Sequence, residues 1–486
     1  MGIVRKQAIS NTIVTYLGFA LGAINVLFLY TNFLTDAYFG LVQVILSASA
    51  VIMPLMAFGV PNTIIKFYST FKEKEKKDSF LSLMLLLPLV LILPIGALSY
   101  IANDTIATFL SQKNEIVRDY VWYVFVIGLA MAYFEVFYAW GKVHMKSFFG
   151  NFLKEIFCRL GVTILLGLIH FKVITVETFL VLLAAVYIMR MLIMKIYAYR
   201  LRMPSLKIEI PDDIGDIIIY SALIILGGST AIVLLEVDKV MINQFIKIEN
   251  VAYYSVAGFM ASTIAVPSRA MHQITYPLTA ELLNKKKYKE LKKLYKKSSL
   301  TLFSISGLLF LLLLVNLKDL YSFLPETYTA GFVIVAWIGM AKVYDALLGN
   351  NNSILFNSDF YRAVLLLGVL LAILTILFNL WLIPKYGLNG AAIASFLAFF
   401  IYNSIKLGFV KRKFNMSPLS KETFFVLFIL LLLGTLFYFI PFAIHPILAI
   451  LLKSILIISI YLSILYKFKI SEDINLLINQ FLRNFK

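Results

Sequence analysis

Arg269 and His272 stand one turn apart in VAYYSVAGFMASTIAVPSRAMHQITYPL (251–278), a stretch otherwise apolar enough for lipid. A guanidinium there can grip an oxyanion through two parallel hydrogen bonds, which an ammonium does less well. An imidazole can take or release a proton near neutral pH. Positions 254, 258, 262, 265, 269, 272 and 276 advance by three or four, so Tyr254, Gly258, Ser262, Ala265, Arg269, His272 and Tyr276 share one helical face. Small and polar groups ending in a cation are what a helix lining a wet cleft presents. Asn11, Thr15, Gly18, Gly22, Asn25 and Asn32 form a similar stripe near the N-terminus.

Other charges also sit in apolar surroundings: Arg190, Lys342, Lys453, Glu135 and Asp345. Each charge near a helix centre costs about 2.5–3.5 kcal/mol on insertion scales, so Arg269, Lys342, Asp345 and Glu135 together approach roughly 10 kcal/mol if lipid-facing. That rivals the stability of a whole domain. They are expected to face a hydrated cavity or one another. Plainer readings stand beside this one. Lys342 and Asp345, three residues apart, can neutralise each other; Arg190 and Arg269 can snorkel, and Lys453 reads as a snorkelling anchor. His272 can be a structural hydrogen-bonding group or a proton-coupling one, and Glu135 is a comparable coupling candidate.

The elements that carry these residues follow from composition. Of 486 residues 61% are hydrophobic and 14% charged, with mean hydropathy +0.89, outside the range of soluble domains. Fourteen stretches are long and apolar enough to span: 9–33, 40–65, 80–102, 119–141, 156–172, 178–198, 215–236, 251–275, 299–317, 331–349, 363–383, 390–410, 422–441 and 447–466. Runs such as LLFLLLLV lack the alternation of a β-barrel, so the chain is expected to be all-α. The first stretch is too long for a cleavable signal core.

Of the 44 Lys and Arg, 33 fall in alternate loops and tails and 7 on the opposite side. That asymmetry places both termini in the cytoplasm and counts Lys406 in a basic loop, 406–421. The net charge of +18 is thereby spread over one membrane face, which disposes of nucleic acid. NKKKYKELKKLYKK (284–297) and INLLINQFLRNFK (474–486) read as interfacial helices on anionic lipid. A single cysteine, Cys158, excludes an internal disulfide. The four scattered histidines offer no metal-binding spacing, and no Walker lysine motif occurs.

The stretches 32–68 and 243–278 resemble each other. In each, a polar turn leads to an aromatic, then to a helix rich in small residues and interrupted by Pro54 or Pro267. This predicts two six-helix bundles, 1–198 and 215–410, joined by a linker (199–214) and followed by two helices (411–466) and an amphipathic tail (467–486). With that arrangement, the 251–278 segment and LIPKYGLNGAAIAS (382–395), the chain resembles the polysaccharide-export flippases of the superfamily that also holds multidrug exporters and the lipid II flippase. The small residues after Gly387 read on their own as close helix packing.

The resemblance implies two bundles forming a V that carries undecaprenyl-diphosphate-linked oligosaccharide units across the cytoplasmic membrane by alternating access. Arg269, Lys342 and Arg190 are then expected at the diphosphate, with Asn25 and Tyr254 lining the path and His272, Glu135 and Asp345 as coupling candidates. No cofactor is expected beyond an ion or proton gradient. A monomer suffices, and polysaccharide polymerase machinery is a conceivable associate. A multidrug or cation exporter is the alternative, but it is expected to present acids to its cargo. A glycan polymerase or transferase needs a larger outer loop than 103–118, so the chain is not expected to be an enzyme.

Overall fold

The computed structural model describes residues 2–205, 209–211, 213–228, 230–440, 442, 444–472, 475, 476 and 479, and no strand occurs among them. Most of the tail over 474–486 lies outside the described residues, as does Lys207 of the basic loops. The chain divides into two compact units, Met1–Ser255 with Ile383–Gly387, and Val256–Leu382 with Leu388–Lys486.

The first unit opens with α1 (Gly2–Ala23), a π-helical turn (Ile24–Leu29), α2 (Asp36–Met56) and α3 (Val60–Phe67). It continues with α4 (Lys74–Leu86), α5 (Leu89–Ile101), α6 (Asn103–Ser111), α7 (Val121–Val143) and α8 (Ser147–Phe152). A second π turn (Leu153–Phe157) leads into α9 (Cys158–His170), followed by α10 (Val176–Leu201), α11 (Ile214–Gly228) and α12 (Thr230–Phe245), and α13 (Glu249–Ser262) is divided between the two units after Ser255. The second unit holds α14 (Val266–Asn284), α15 (Tyr288–Val315), α16 (Leu317–Tyr321), α17 (Phe332–Leu347), α18 (Asn351–Phe356), α19 (Tyr361–Phe414), α20 (Lys421–Tyr438) and α21 (Pro446–Lys467).

Ten helical runs among the described residues are long and apolar enough to cross a membrane. The chain is a multi-pass membrane protein. These ten differ from the fourteen predicted spans for two physical reasons. The run Arg362–Phe414 is long enough for two spans, and Gly387 (φ 56°, ψ −133°) breaks its helical backbone. Position 229, within the predicted span 215–236, lies outside the described residues. Two other predicted spans are segmented into shorter helices: around 156–172 a π turn intervenes, and 251–275 is cut by a 3-10 turn at Thr263–Ala265. Pro267 explains that last cut, because proline cannot donate to the preceding turn and settles instead in the first turn of a new helix. The polar stripe expected on one helix therefore lies on two, with Tyr254, Gly258 and Ser262 on α13 and Arg269, His272 and Tyr276 on α14.

In the first unit α7 packs against α2 and α10, and Phe80 of α4, Phe134 and Trp140 of α7 and Met194 of α10 belong to one buried apolar cluster. Helix α12 lies on α2, and Gly40 makes room for the turn that follows α12: a Cβ there would stand 2.2 Å from the Ile248 carbonyl oxygen. Asn114 satisfies the end of α12, its amide donating to the carbonyls of Asn243 (2.7 Å) and Ile246 (3.0 Å) while its oxygen accepts from the Ile248 N–H (2.9 Å). The last carbonyls of a helix have no partner within it, so this buried asparagine closes that gap. The linker is pinned to α4, where Ser82 donates to the Ser205 carbonyl and Arg202 pairs with Asp78.

In the second unit α15 carries α17 on one side and α20 and α21 on another, around Phe303, Leu311, Leu430, Ile457 and Tyr461. The Tyr461 hydroxyl donates to the Ser304 carbonyl at 3.0 Å. Lys453 departs from the expected snorkelling: it is buried, and its ammonium donates to Asp319 at 2.8 Å.

Gly59 caps α3 with φ +66°, and a Cβ there would meet the Ser221 carbonyl oxygen of α11 at 2.2 Å. Beside it Thr63 and Ser221 share a buried hydrogen bond of 2.7 Å. Gly59→Ala combines the backbone strain with that collision and should destabilise the first unit by at least about 2 kcal/mol. A lowered melting midpoint of the detergent-solubilised protein checks this; an unchanged midpoint contradicts it.

Candidate functional site

Each unit holds its own group of charges. In the first, Lys154 of the second π turn donates to Glu135 of α7 at 2.5 Å, and Arg159 pairs with Glu155 at 2.9 Å. Arg190 on α10 is 7% exposed. Its guanidinium lies 4.2 Å from the ring centroid of Phe134 and 4.9 Å from that of Tyr187, against the Cys158 thiol, with Nε unpartnered. Aromatic faces attract a cation most strongly when water is absent. Arg190 is therefore held by rings and does not reach outward.

Asn25 sits in the first π turn, 3% exposed. Its amide donates to the Arg159 carbonyl at 2.8 Å and its oxygen accepts from Thr163 at 2.7 Å. Tyr254 is also buried, and its hydroxyl donates to Asp238 of α12. Both residues have their polar atoms engaged within the first unit.

The second unit arranges its charges differently. Arg269 on α14 is exposed and makes no hydrogen bond or ion pair among the described residues. Tyr276, two turns on, is exposed as well, and His272 between them is half-buried. On α17, Lys342 lies 5.1 Å from the ring centroid of Phe399. Asp345, one turn further, is within electrostatic reach of His272, Tyr402 and Lys406. The structure thus draws His272 and Asp345 into one neighbourhood.

Lys406 is the residue that the sequence reading misplaced. It lies inside α19, 1% exposed, not in a basic loop. Its ammonium donates to the Asn352 side-chain oxygen at 2.9 Å and stands 4.2 Å from the Tyr402 ring centroid. Among the described residues it makes no ion pair. The available signal was its position within the span 390–410, one turn after Tyr402 and Asn403. Lys154 and Arg159 were likewise counted as loop cations, yet they occupy the helical run α8–α9.

The second unit also bears an apolar groove of about 700 Å³ between α15, α17 and α20, walled by Phe303, Phe310, Leu427 and Leu431 among others. Such a channel suits a hydrocarbon chain.

The architecture, all-helical among the described residues with multiple apolar spans and several buried charges, is that of a multi-pass membrane protein. The family model for polysaccharide biosynthesis proteins matches residues 4–283, more than half of the chain, and the protein belongs to that family. No curated protein sequence matches it. Among solved structures it resembles the lipid II flippase MurJ in an inward closed conformation, with TM-score 0.66, 16% identity, and coverage of 95% of this chain and 100% of that one. It also resembles an inward-facing multidrug resistance MATE transporter of the MOP superfamily (TM-score 0.61, 12% identity, 84% of this chain and 98% of that one). A mutant of the Vibrio cholerae MATE transporter VcmN gives a TM-score of 0.58 at 11% identity, covering 85% of this chain and 98% of that one. At such identities the likeness is one of fold.

The Glu135–Lys154 pair yields a test. Lys154→Met strands a carboxylate whose side chain is only 19% exposed. Because Lys154 itself is 41% exposed, solvent screening limits the loss to about 1–2 kcal/mol. Combining Lys154→Met with Glu135→Gln should recover part of it in a double-mutant cycle of melting midpoints. Strict additivity would show that the two groups do not interact.

Proposed function

We propose that the protein moves a polyprenyl-diphosphate-linked oligosaccharide unit from the cytoplasmic to the outer leaflet of the cell membrane, for polysaccharide synthesis. The observation that carries this reading is Arg269, an exposed guanidinium without an ion pair, on the same helix face as His272 and Tyr276. An exposed guanidinium with no carboxylate paired to it is available to a phosphate, which it can hold in bidentate fashion. Lys342 assists it, and Lys406 adds a positive charge behind the face. Family membership supports the pathway, and the shared fold with a lipid flippase supports the mode of movement.

In this reading the chain crosses the membrane fourteen times, as bundles 1–198 and 215–410 with two further helices, both termini cytoplasmic. Alternating access exposes the cationic face to each side in turn, while the glycan stays in water and the prenyl tail in hydrocarbon. His272 and Asp345 are the groups proposed to couple the cycle to an ion or proton gradient, with Glu135 held in its ion pair. Arg190, Asn25 and Tyr254 enter as residues that fix the helices the cargo passes. No covalent bond changes, and the chain acts as a monomer.

Losing a charge-assisted phosphate contact costs about 1.5–3 kcal/mol, or about tenfold or more in transport. Arg269→Ala should therefore fail to complement an export-deficient strain, with Arg269→Lys intermediate and membrane abundance of both unchanged. Deletion of the protein should leave the diphosphate-linked glycan on the inner leaflet. Full complementation by Arg269→Ala removes the residue from the site, and an acid-dependent drug-efflux phenotype instead would indicate the exporter alternative.

A further inference from the structure

A polar pocket of about 530 Å³ lies at the lysine-rich end of the second unit, where α14 ends, α15 begins, and the 357–360 turn meets the last turn of α19. Its lining includes Asn284, Lys286, Tyr288, Asn357, Asp359 and Lys413. The neighbouring lysines pair with glutamates of the adjoining helices, Lys285 with Glu281 (2.6 Å) and Lys287 with Glu290 (2.9 Å). Lys286 and Lys413, the two that line the pocket, make no ion pair among the described residues, and neither does Asp359.

The pocket is built rather than incidental. Phe360 forms part of its wall, fixed edge-on by Phe409 (5.5 Å) and Phe414 (5.8 Å), and the Lys413 ammonium stands 5.2 Å from its centroid. Asn357 donates its amide N–H to the Ser353 carbonyl at 2.8 Å, which orients the side chain and leaves its oxygen as an acceptor. Tyr288 is half-exposed at the rim, the place of an aromatic at a membrane interface. Two ammonium groups and one carboxylate leave a single positive charge, the complement of a phosphodiester. Asp359 and Asn357 supply acceptors for hydroxyl groups. Basic pockets between helices at the cytoplasmic surface are suited to anionic headgroups.

We propose that this pocket binds a glycerophosphate group, its phosphate on Lys286 and Lys413 and its hydroxyls on Asp359 and Asn357. The source is either the headgroup of phosphatidylglycerol in the adjoining leaflet or a soluble glycerol phosphate. The site is separate from Arg269 and stands whether or not the cargo reading holds.

Lys286 offers a clean variant. It closes α14 with φ +53°, a conformation glycine adopts without strain, so Lys286→Gly removes the ammonium while easing the backbone. The full-length protein is released from nanodiscs containing equal phosphatidylglycerol, phosphatidylethanolamine and phosphatidylcholine, and retained lipid is read by native mass spectrometry. Phosphatidylglycerol should be retained preferentially. Lys286→Gly with Lys413→Gln should cut that retention by at least about fivefold, while Lys289→Gln, outside the pocket, should not. The melting midpoint of Lys286→Gly should be no lower than that of the parent. Displacement of the lipid by millimolar sn-glycerol 1-phosphate, but not by inorganic phosphate, assigns the soluble source; persistence of the lipid assigns the membrane one. Equal retention of all three lipids, or equal losses in the pocket and Lys289 variants, overturns the proposal.

Discussion

Hydrocarbon offers no hydrogen bonds, so every polar group placed within it must find its partner in the protein. That constraint orders the structure from end to end. Asn114 exists to close the carbonyls of α12. Ser47 of α2 and Lys239 both meet Glu236 of α12. Tyr254 gives its hydroxyl to Asp238, and Lys453 its ammonium to Asp319. In such company Arg269, an exposed guanidinium with no ion pair among the described residues, is informative.

The constraint is met by two means. Some cations are set against carboxylates, as in Lys154–Glu135, Arg159–Glu155 and Lys453–Asp319. Others, Arg190 on two aromatic faces and Lys406 with an amide oxygen and an aromatic face, are held by groups that shelter a charge without cancelling it. A charge so held keeps its field, and in a medium of low dielectric that field reaches further than in water. Lys406 thus contributes positive potential to the region of His272 and Asp345 even though it touches neither the surface nor a carboxylate.

Much of this was legible in the sequence. Apolar stretches of sufficient length located most of the helices, and the 251–278 and 382–395 segments pointed to the right family. The unread parts share a cause. Pro267 announced a break that the apolar pattern concealed, because hydropathy is blind to a turn of 3-10 helix. Lys406 was taken for a loop residue because a lone lysine near a span's end normally reaches water; only the packing of Asn352 and Tyr402 around it shows otherwise. Asn25 and Tyr254 looked like lining groups by periodicity, yet periodicity assigns a face and not the neighbour that covers it.

The paired π turns, Ile24–Leu29 and Leu153–Phe157, lie on helices that touch, with Gly18 pressed against Glu155 and Asn25 tied to the Arg159 carbonyl. A π turn is an α-helix carrying one surplus residue, and each residue swings the chain by about 100°. Excising a single codon from either turn would restore regular winding and rotate every side chain upstream by that angle. The register between these two helices is thus written in an insertion, and relatives that lack it must present a different side of their first helix.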